Sequence, residues 1–203
     1  MSVDLGFYCV DADVERNVRH TADALRELGL VVDEVQIRWT REITDAWFAH
    51  WAVFQAASFG HVLEKYREDM DPELVCLMDK GLAMSAVDFK RLEAVRTRQW
   101  ESLSRVFADY DALLCPTTAI PAPPVGMDDT DFDWSDEMRR YHGFDMTCPF
   151  NNVGQCPAIS IPNGHTAGGL PTGAQLVGRR YRDVELLETA VVLEDAIRRM
   201  KIP

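Results

Sequence analysis

Three cysteines and two histidines share the second half of the chain: Cys115, Cys148 and Cys156 beside His142 and His165. A thiolate attacking a carbonyl, with an imidazole as its base, is the chemistry such a set would perform, and it would make a cysteine hydrolase. The competing reading is packing. Each of these cysteines directly precedes a proline, at Pro116, Pro149 and Pro157, and a small apolar thiol suits a core position. The sequence favours packing. With Cys9 and Cys76 the thiols number five, odd and widely scattered, which fits reduced cysteines in the cytoplasm better than a disulfide scaffold. None forms a CxxC pair, so the spacing supplies no structural zinc site.

Composition narrows the classes further. The 203 residues are 47% hydrophobic and 27% charged, the profile of a globular chain with ample length for a core. A net charge of -12 opposes the clustered positive face that nucleic acid requires. The short pairs Arg179-Arg180 and Arg198-Arg199 read as solvated ends of elements. No run of about 18 apolar residues is present to span a membrane, and the start lacks the basic-then-apolar pattern of a signal peptide.

The elements that must position any site follow from periodicity and punctuation. Residues 1–39 read as a β-α-β unit. Its strands are Ser2 to Val10 and Leu30 to Ile37, around a helix capped by Asp11, carrying Val14, Val18, Leu25 and Leu28 on one face and stopped at Gly29. The length suits a parallel crossover. Residues 40–110 read as helical: Trp47, Trp51 and Phe54 keep helical spacing, Asp71-Pro72 opens a helix, and Ser85 to Asp88 is a capping box. On the last of these helices Leu92, Leu103, Val106 and Tyr110 are expected to share a stripe with Arg96 and Gln99, Arg96 spreading its stem over the core and ending in a salt bridge.

Residues 111–203 hold the remaining strands. Asp111 to Ile120 is a buried strand stopped by Pro116, and the end of such a strand is where open α/β sheets place ligands. Pro121 to Asp136, with three prolines and five aspartates, is a surface loop or lid. A short polar helix is expected at Glu137 to Tyr141. Ala158 to Ile161, ended by Pro162-Asn163-Gly164, and Gly173 to Gly178 suit a hairpin, and Asp183 caps a final helix with Leu186, Ala190, Leu193 and Ile197 on one face.

Several of these segments, in this order, resemble the amidase signature family. They are Asp109-Tyr-Asp-Ala-Leu-Leu-Cys-Pro-Thr-Thr118, Asn152-Val-Gly-Gln-Cys-Pro-Ala-Ile-Ser-Ile-Pro162 and Leu170-Pro-Thr-Gly-Ala-Gln-Leu-Val-Gly178, with a weaker match from Asp71 to Trp100. The resemblance covers nearly the whole chain and implies an α/β fold, namely the C-terminal half of an amidase signature fold, with a mixed, mostly parallel sheet flanked by helices. It implies one domain over residues 1–203 and hydrolysis of carboxamides without metal or organic cofactor.

Members of that family use a Ser-Ser-Lys triad in which a buried lysine stays neutral and serves as base. The lysines here are Lys65, Lys80, Lys90 and Lys201, set in charged helical surroundings or at the terminus, and serines such as Ser58, Ser102 and Ser160 stand isolated. No catalytic residue is therefore assigned. The resemblance places Met1 midway through a complete enzyme, so the chain is expected to come from a split or truncated amidase, or to be a piece of a longer product. It also implies two pocket residues: Asp145, where glutamine-using relatives hold the substrate's amino group, and Thr117, at the strand end facing the cleft. Each has an ordinary role beside that one, Asp145 as a cap or surface charge and Thr117 as a turn hydroxyl. No arginine pairs with the acid as in those relatives, which turns the expected substrate from glutamine towards a simpler carboxamide or aryl amide. The expected partner is the N-terminal amidase half, or a second copy of this chain. The alternative is a non-catalytic interaction module or pseudoenzyme that keeps the half-fold.

Overall fold

The computed structural model describes the backbone of residues 1–200 and the side chains through Arg198; Lys201 and the side chain of Arg199 lie outside the described residues. Its helices are α1 (Ala12–Glu27), α2 (Glu42–Tyr66), α3 (Pro72–Ala83), α4 (Ala86–Asp109), α5 (Asp129–Phe132), α6 (Cys148–Asn151) and α7 (Asp183–Met200), and its strands β1 (Ala112–Pro116), β2 (Ala158–His165) and β3 (Pro171–Gly178). Two compact units emerge, one made of residues 1–40 and 102–203 and the other of residues 41–101.

In the first unit β3 lies between β1 and β2, and both pairings are antiparallel. The α/β class matches the expectation, but the described strands do not form a mostly parallel sheet. Only residues 166–170 connect β2 to β3, far too few for the crossover that parallel neighbours need. The stretches 1–10 and 30–37, expected as strands, stay outside the ladder. They do run side by side as parallel neighbours: the Met1 ammonium donates to the Asp33 carbonyl (2.6 Å), Val35 N–H to Met1 (2.8 Å) and Trp39 N–H to Leu5 (3.2 Å). Leu5 and Gly6 take positive φ values of 50° and 92°, which bends the first stretch out of the extended form, and Arg38, just past the second, takes 58°. Ser2 N–H reaches the Leu114 carbonyl at 2.9 Å and so lays this pair along β1.

One face of the sheet is covered by α1 and α7. Val18, Ala22 and Leu25 of α1 and Leu186, Ala190, Leu193 and Ile197 of α7 pack on Leu114, Ile161, Ala174 and Leu176. The helix α1 begins and ends as its sequence indicates: Asp11 accepts the N–H groups of Asp13 and Val14, and beyond its end Gly29 takes φ 85°. A buried polar chain joins α1 to the hairpin. Asn17 donates to Thr172 Oγ1 (2.8 Å) and the His165 carbonyl (3.0 Å), Thr172 donates to Asn163 Oδ1 (2.8 Å), and Asn163 donates to Thr21 Oγ1 (3.2 Å).

Three local expectations are revised. Pro162-Asn163-Gly164 does not end β2 but lies inside it at a register shift, which an edge strand accommodates because a missing N–H there costs no central ladder bond. Glu137 to Tyr141 is a tight hairpin, not a helix. The Asp136 carboxylate takes the N–H groups of Met138 and Arg140 (2.9 Å each), Arg139 turns at φ 62°, and Ser135 bridges Tyr141. Asp183 is the first residue of α7 rather than its cap.

In the second unit α2 packs on α3 at Gly81. A Cβ there would lie 2.1 Å from the Ala52 carbonyl oxygen, so the glycine is what lets the two backbones meet. Asp71 caps α3, with Pro72 in its first turn. Ser85 accepts Asp88 N–H (3.1 Å) and donates its hydroxyl to the Asp88 carboxylate (2.7 Å) at the start of α4, a one-sided form of the expected box. Along α4, whose residues 86–101 belong to the second unit and 102–109 to the first, the buried positions are Val95, Gln99, Leu103 and Phe107, an i, i+4 row that shares Gln99 and Leu103 with the predicted stripe and leaves Leu92, Val106 and Tyr110 half-buried. Arg96 pairs with Glu93 at 3.6 Å, the salt bridge expected of it.

Candidate functional site

At the C-terminal end of β1 the chain leaves the sheet at Pro116 and turns past residues 144–146. Thr117 N–H donates to the Gly173 carbonyl (2.9 Å), Met146 N–H to Thr117 (3.3 Å) and Ala119 N–H to Phe144 (2.7 Å). Thr118 and Asp145 form an antiparallel bridge. The two sequence-predicted site residues are thus brought to one strand end, though their side chains serve different groups.

Thr117 turns its hydroxyl across the sheet to Ser160, Oγ to Oγ 2.7 Å. Asp145 turns inward on its own loop. One carboxylate oxygen accepts Thr147 N–H (2.7 Å) and Thr147 O–H (2.6 Å), and the other accepts the Cys148 thiol (2.8 Å). These bonds brace the turn that enters α6, whose N-cap is Thr147.

Beside them lies an open cavity of about 480 Å³. Its wall is apolar at Phe150, Pro157 and Ile159 and polar at Thr147, Ser160 and Gln175. Thr117 reaches this wall through Ser160, and Asp145 stands behind Thr147. Gln175 is buried in β3, where its amide donates to the carbonyls of Pro116 (3.0 Å) and Met146 (2.9 Å). It pins the end of β1 and the 146 loop to the central strand. Gln175 is legible as a polar amide inside the apolar run Gly173 to Gly178, whereas Ser160 and Thr147 give no local signal.

The thiols are set for packing. Cys115 is fully buried, which pushes its thiol well above the ordinary range. Cys148 is raised by burial and by the Asp145 carboxylate beside it, and burial also raises Cys156. Each shift opposes thiolate formation. His142 lies stacked on Trp134, ring centroids 3.7 Å apart, and His165 is exposed. Lys65, Lys80 and Lys90 are also exposed, on α2, α3 and α4. Among the described residues no three His, Cys, Asp or Glu side chains converge as a metal site, and no helix is long and apolar enough to cross a membrane.

A profile of the family described as Amidase matches residues 2–187. An acylamidase of Rhodococcus erythropolis is 29% identical over 195 residues, 95% of this chain and 41% of that protein. The A component of the glutamyl-tRNA(Gln) amidotransferase of Halothermothrix orenii is 36% identical over 109 residues, 54% of this chain and 21% of that protein. Among solved structures, a bacterial aryl acylamidase described as an amidase signature enzyme superposes with TM-score 0.81 at 24% identity, covering 96% of this chain and 42% of its own. A 6-aminohexanoate cyclic dimer hydrolase gives TM-score 0.77 at 22% identity, covering 97% of this chain and 44% of its own. At those identities the superpositions speak for the fold, and the chain spans well under half the length of these relatives.

Proposed function

The chain belongs to the amidase family, and from that premise we propose that its residues form the substrate-pocket and scaffold portion of a hydrolase that cleaves carboxamide C–N bonds. The observation that carries this reading is the half-apolar, half-polar cavity beside β2 and β3, bounded by residues from two of the segments that resemble the family, 152–162 and 170–178. Amide hydrolysis needs an activated nucleophile, a base and donors for the oxyanion. The lysines of α2, α3 and α4 are exposed, unlike the buried lysine that the family resemblance calls for as base. The base and nucleophile then belong to a Ser- and Lys-bearing N-terminal portion, on this polypeptide or on another chain. The portion described here holds the amide: Thr117 acts through Ser160, and Asp145 through Thr147. A simple carboxamide or an aryl amide is the proposed substrate, supported by the likeness to an acylamidase and by the engagement of Asp145 with its own loop. Neither metal nor organic cofactor enters this chemistry. The five free thiols support a cytoplasmic setting.

The test is native mass spectrometry of the protein isolated from its source cells, beside an ammonia-release assay on the same sample with several simple amides. Activity that resides in a species carrying the Ser- and Lys-bearing portion is expected. An inactive species lacking that portion would contradict the proposal.

A second reading, the non-catalytic interaction module, is favoured by α7. Val184, Leu187 and Val191 are 68%, 54% and 62% exposed and follow at i, i+3 and i+7, a second apolar stripe opposite the packed one. Such a stripe fits another apolar surface, either the N-terminal portion or a second copy. Analytical ultracentrifugation of the chain at micromolar concentration tests the second copy, and a monomer would remove it.

A further inference from the structure

We propose that the hydroxyls of Thr117 and Ser160, meeting over Gly173, form the hydrogen-bonding station that receives the carboxamide group of a small molecule in the cavity, with Ser160 as the residue that touches it. The inference rests on the reading of this chain as the substrate-side portion of an amidase.

The geometry is unusual for a structural pair. Cross-strand Ser and Thr bonds ordinarily join adjacent strands, whereas Thr117 directly follows β1, Ser160 lies on β2, and β3 runs between them. Strands two apart are separated by about 10 Å, so the hydroxyls can meet at 2.7 Å only if the central strand leaves the space above it empty. Gly173 does so. A Cβ at that position would stand 3.0 Å from Thr117 Oγ1 and 3.1 Å from Ser160 Oγ. Glycine within a strand weakens the strand and marks a place where something else approaches closely.

What the pair offers is complementary to an amide. Each hydroxyl has one donor and two acceptor lone pairs, and their mutual bond consumes one donor and one acceptor. One O–H and the remaining lone pairs stay available side by side, matching the C=O and N–H of a primary or secondary amide. Ser160 is exposed and lines the cavity. Gln175, opposite Ser160 in the β2–β3 register, spends both amide protons on Pro116 and Met146. It is a positioning residue that holds the floor of the station.

The test is an NMR titration of the ¹⁵N-labelled chain with benzamide. Saturable shifts centred on the amides of Thr117, Ser160 and Gly173 are expected. Ser160→Ala should weaken binding by about tenfold, the worth of one net hydrogen bond, with the thermal midpoint nearly unchanged because the side chain is exposed. Gly173→Ala should weaken it as well, by parting the two hydroxyls. Binding that Ser160→Ala leaves within about twofold of wild type, shifts centred elsewhere, or no binding by the folded chain would each overturn the station. Ammonia release by the source-cell species is read separately and decides the amidase reading on its own.

Discussion

At the residue scale the chemistry turns on which groups are already engaged. Burial holds the Cys115, Cys148 and Cys156 thiols in the protonated form, while Cys76 is exposed. With iodoacetamide at neutral pH, Cys76 should therefore be modified first and the three buried cysteines more slowly than a free thiol. Faster labelling of any of the three would revive the cysteine-hydrolase reading. Asp145 takes three donors from Thr147 and Cys148, so Asp145→Ala should cost about 1–3 kcal/mol, the penalty of leaving partly buried donors without a partner. Denaturant unfolding checks this, and an unchanged midpoint would show that the carboxylate is idle in the fold. Gln175→Leu would leave the Pro116 and Met146 carbonyls without the donors they now have. The same measurement should show a loss of about 1–3 kcal/mol.

At the element scale, local chemistry was legible and pairing between distant segments was not. The caps Asp11 and Asp71 act within three residues of themselves, so a sequence reading finds them. The antiparallel sheet depends on which of several short apolar runs meet, and the meeting of Thr117 with Ser160 depends on two strand registers at once. The stretch Glu137 to Tyr141 has helix-forming residues, yet the side chain of Asp136 offers its backbone N–H groups a nearer partner, and a hairpin results. That hairpin carries its own pH dependence. Backbone N–H from Arg140 is the main cause that holds the Asp136 carboxyl below its ordinary value, with the Arg140 guanidinium and His142 adding to it. A depressed carboxyl contributes stability that is present above its ordinary pKa and lost as pH falls through the lower folded value. Fluorescence of Trp134, read as the difference from Trp134→Phe, should therefore change below about pH 4, and Asp136→Asn should abolish that step. A step that survives Asp136→Asn would assign it to another group. In the helical unit, Gly81→Ala would drive a Cβ into the Ala52 carbonyl at 2.1 Å, and overpacking against backbone should destabilise this unit by about 3 kcal/mol or more. Thermal unfolding followed by circular dichroism reads that loss.

At the scale of the whole molecule, the family match over residues 2–187 and the cavity beside β2 and β3 support the proposed pocket wall, and Lys65, Lys80 and Lys90 are exposed. The central claim is the proposed division of labour, in which these residues shape and hold an amide and another portion breaks it. The most direct measurement is aniline release from acetanilide by the purified 203-residue chain, set against the species isolated from source cells at equal concentration. The account predicts no turnover above background for the chain by itself and turnover by a species that also carries the Ser- and Lys-bearing portion. Turnover by the chain alone would contradict it and would place a complete catalytic apparatus within these residues.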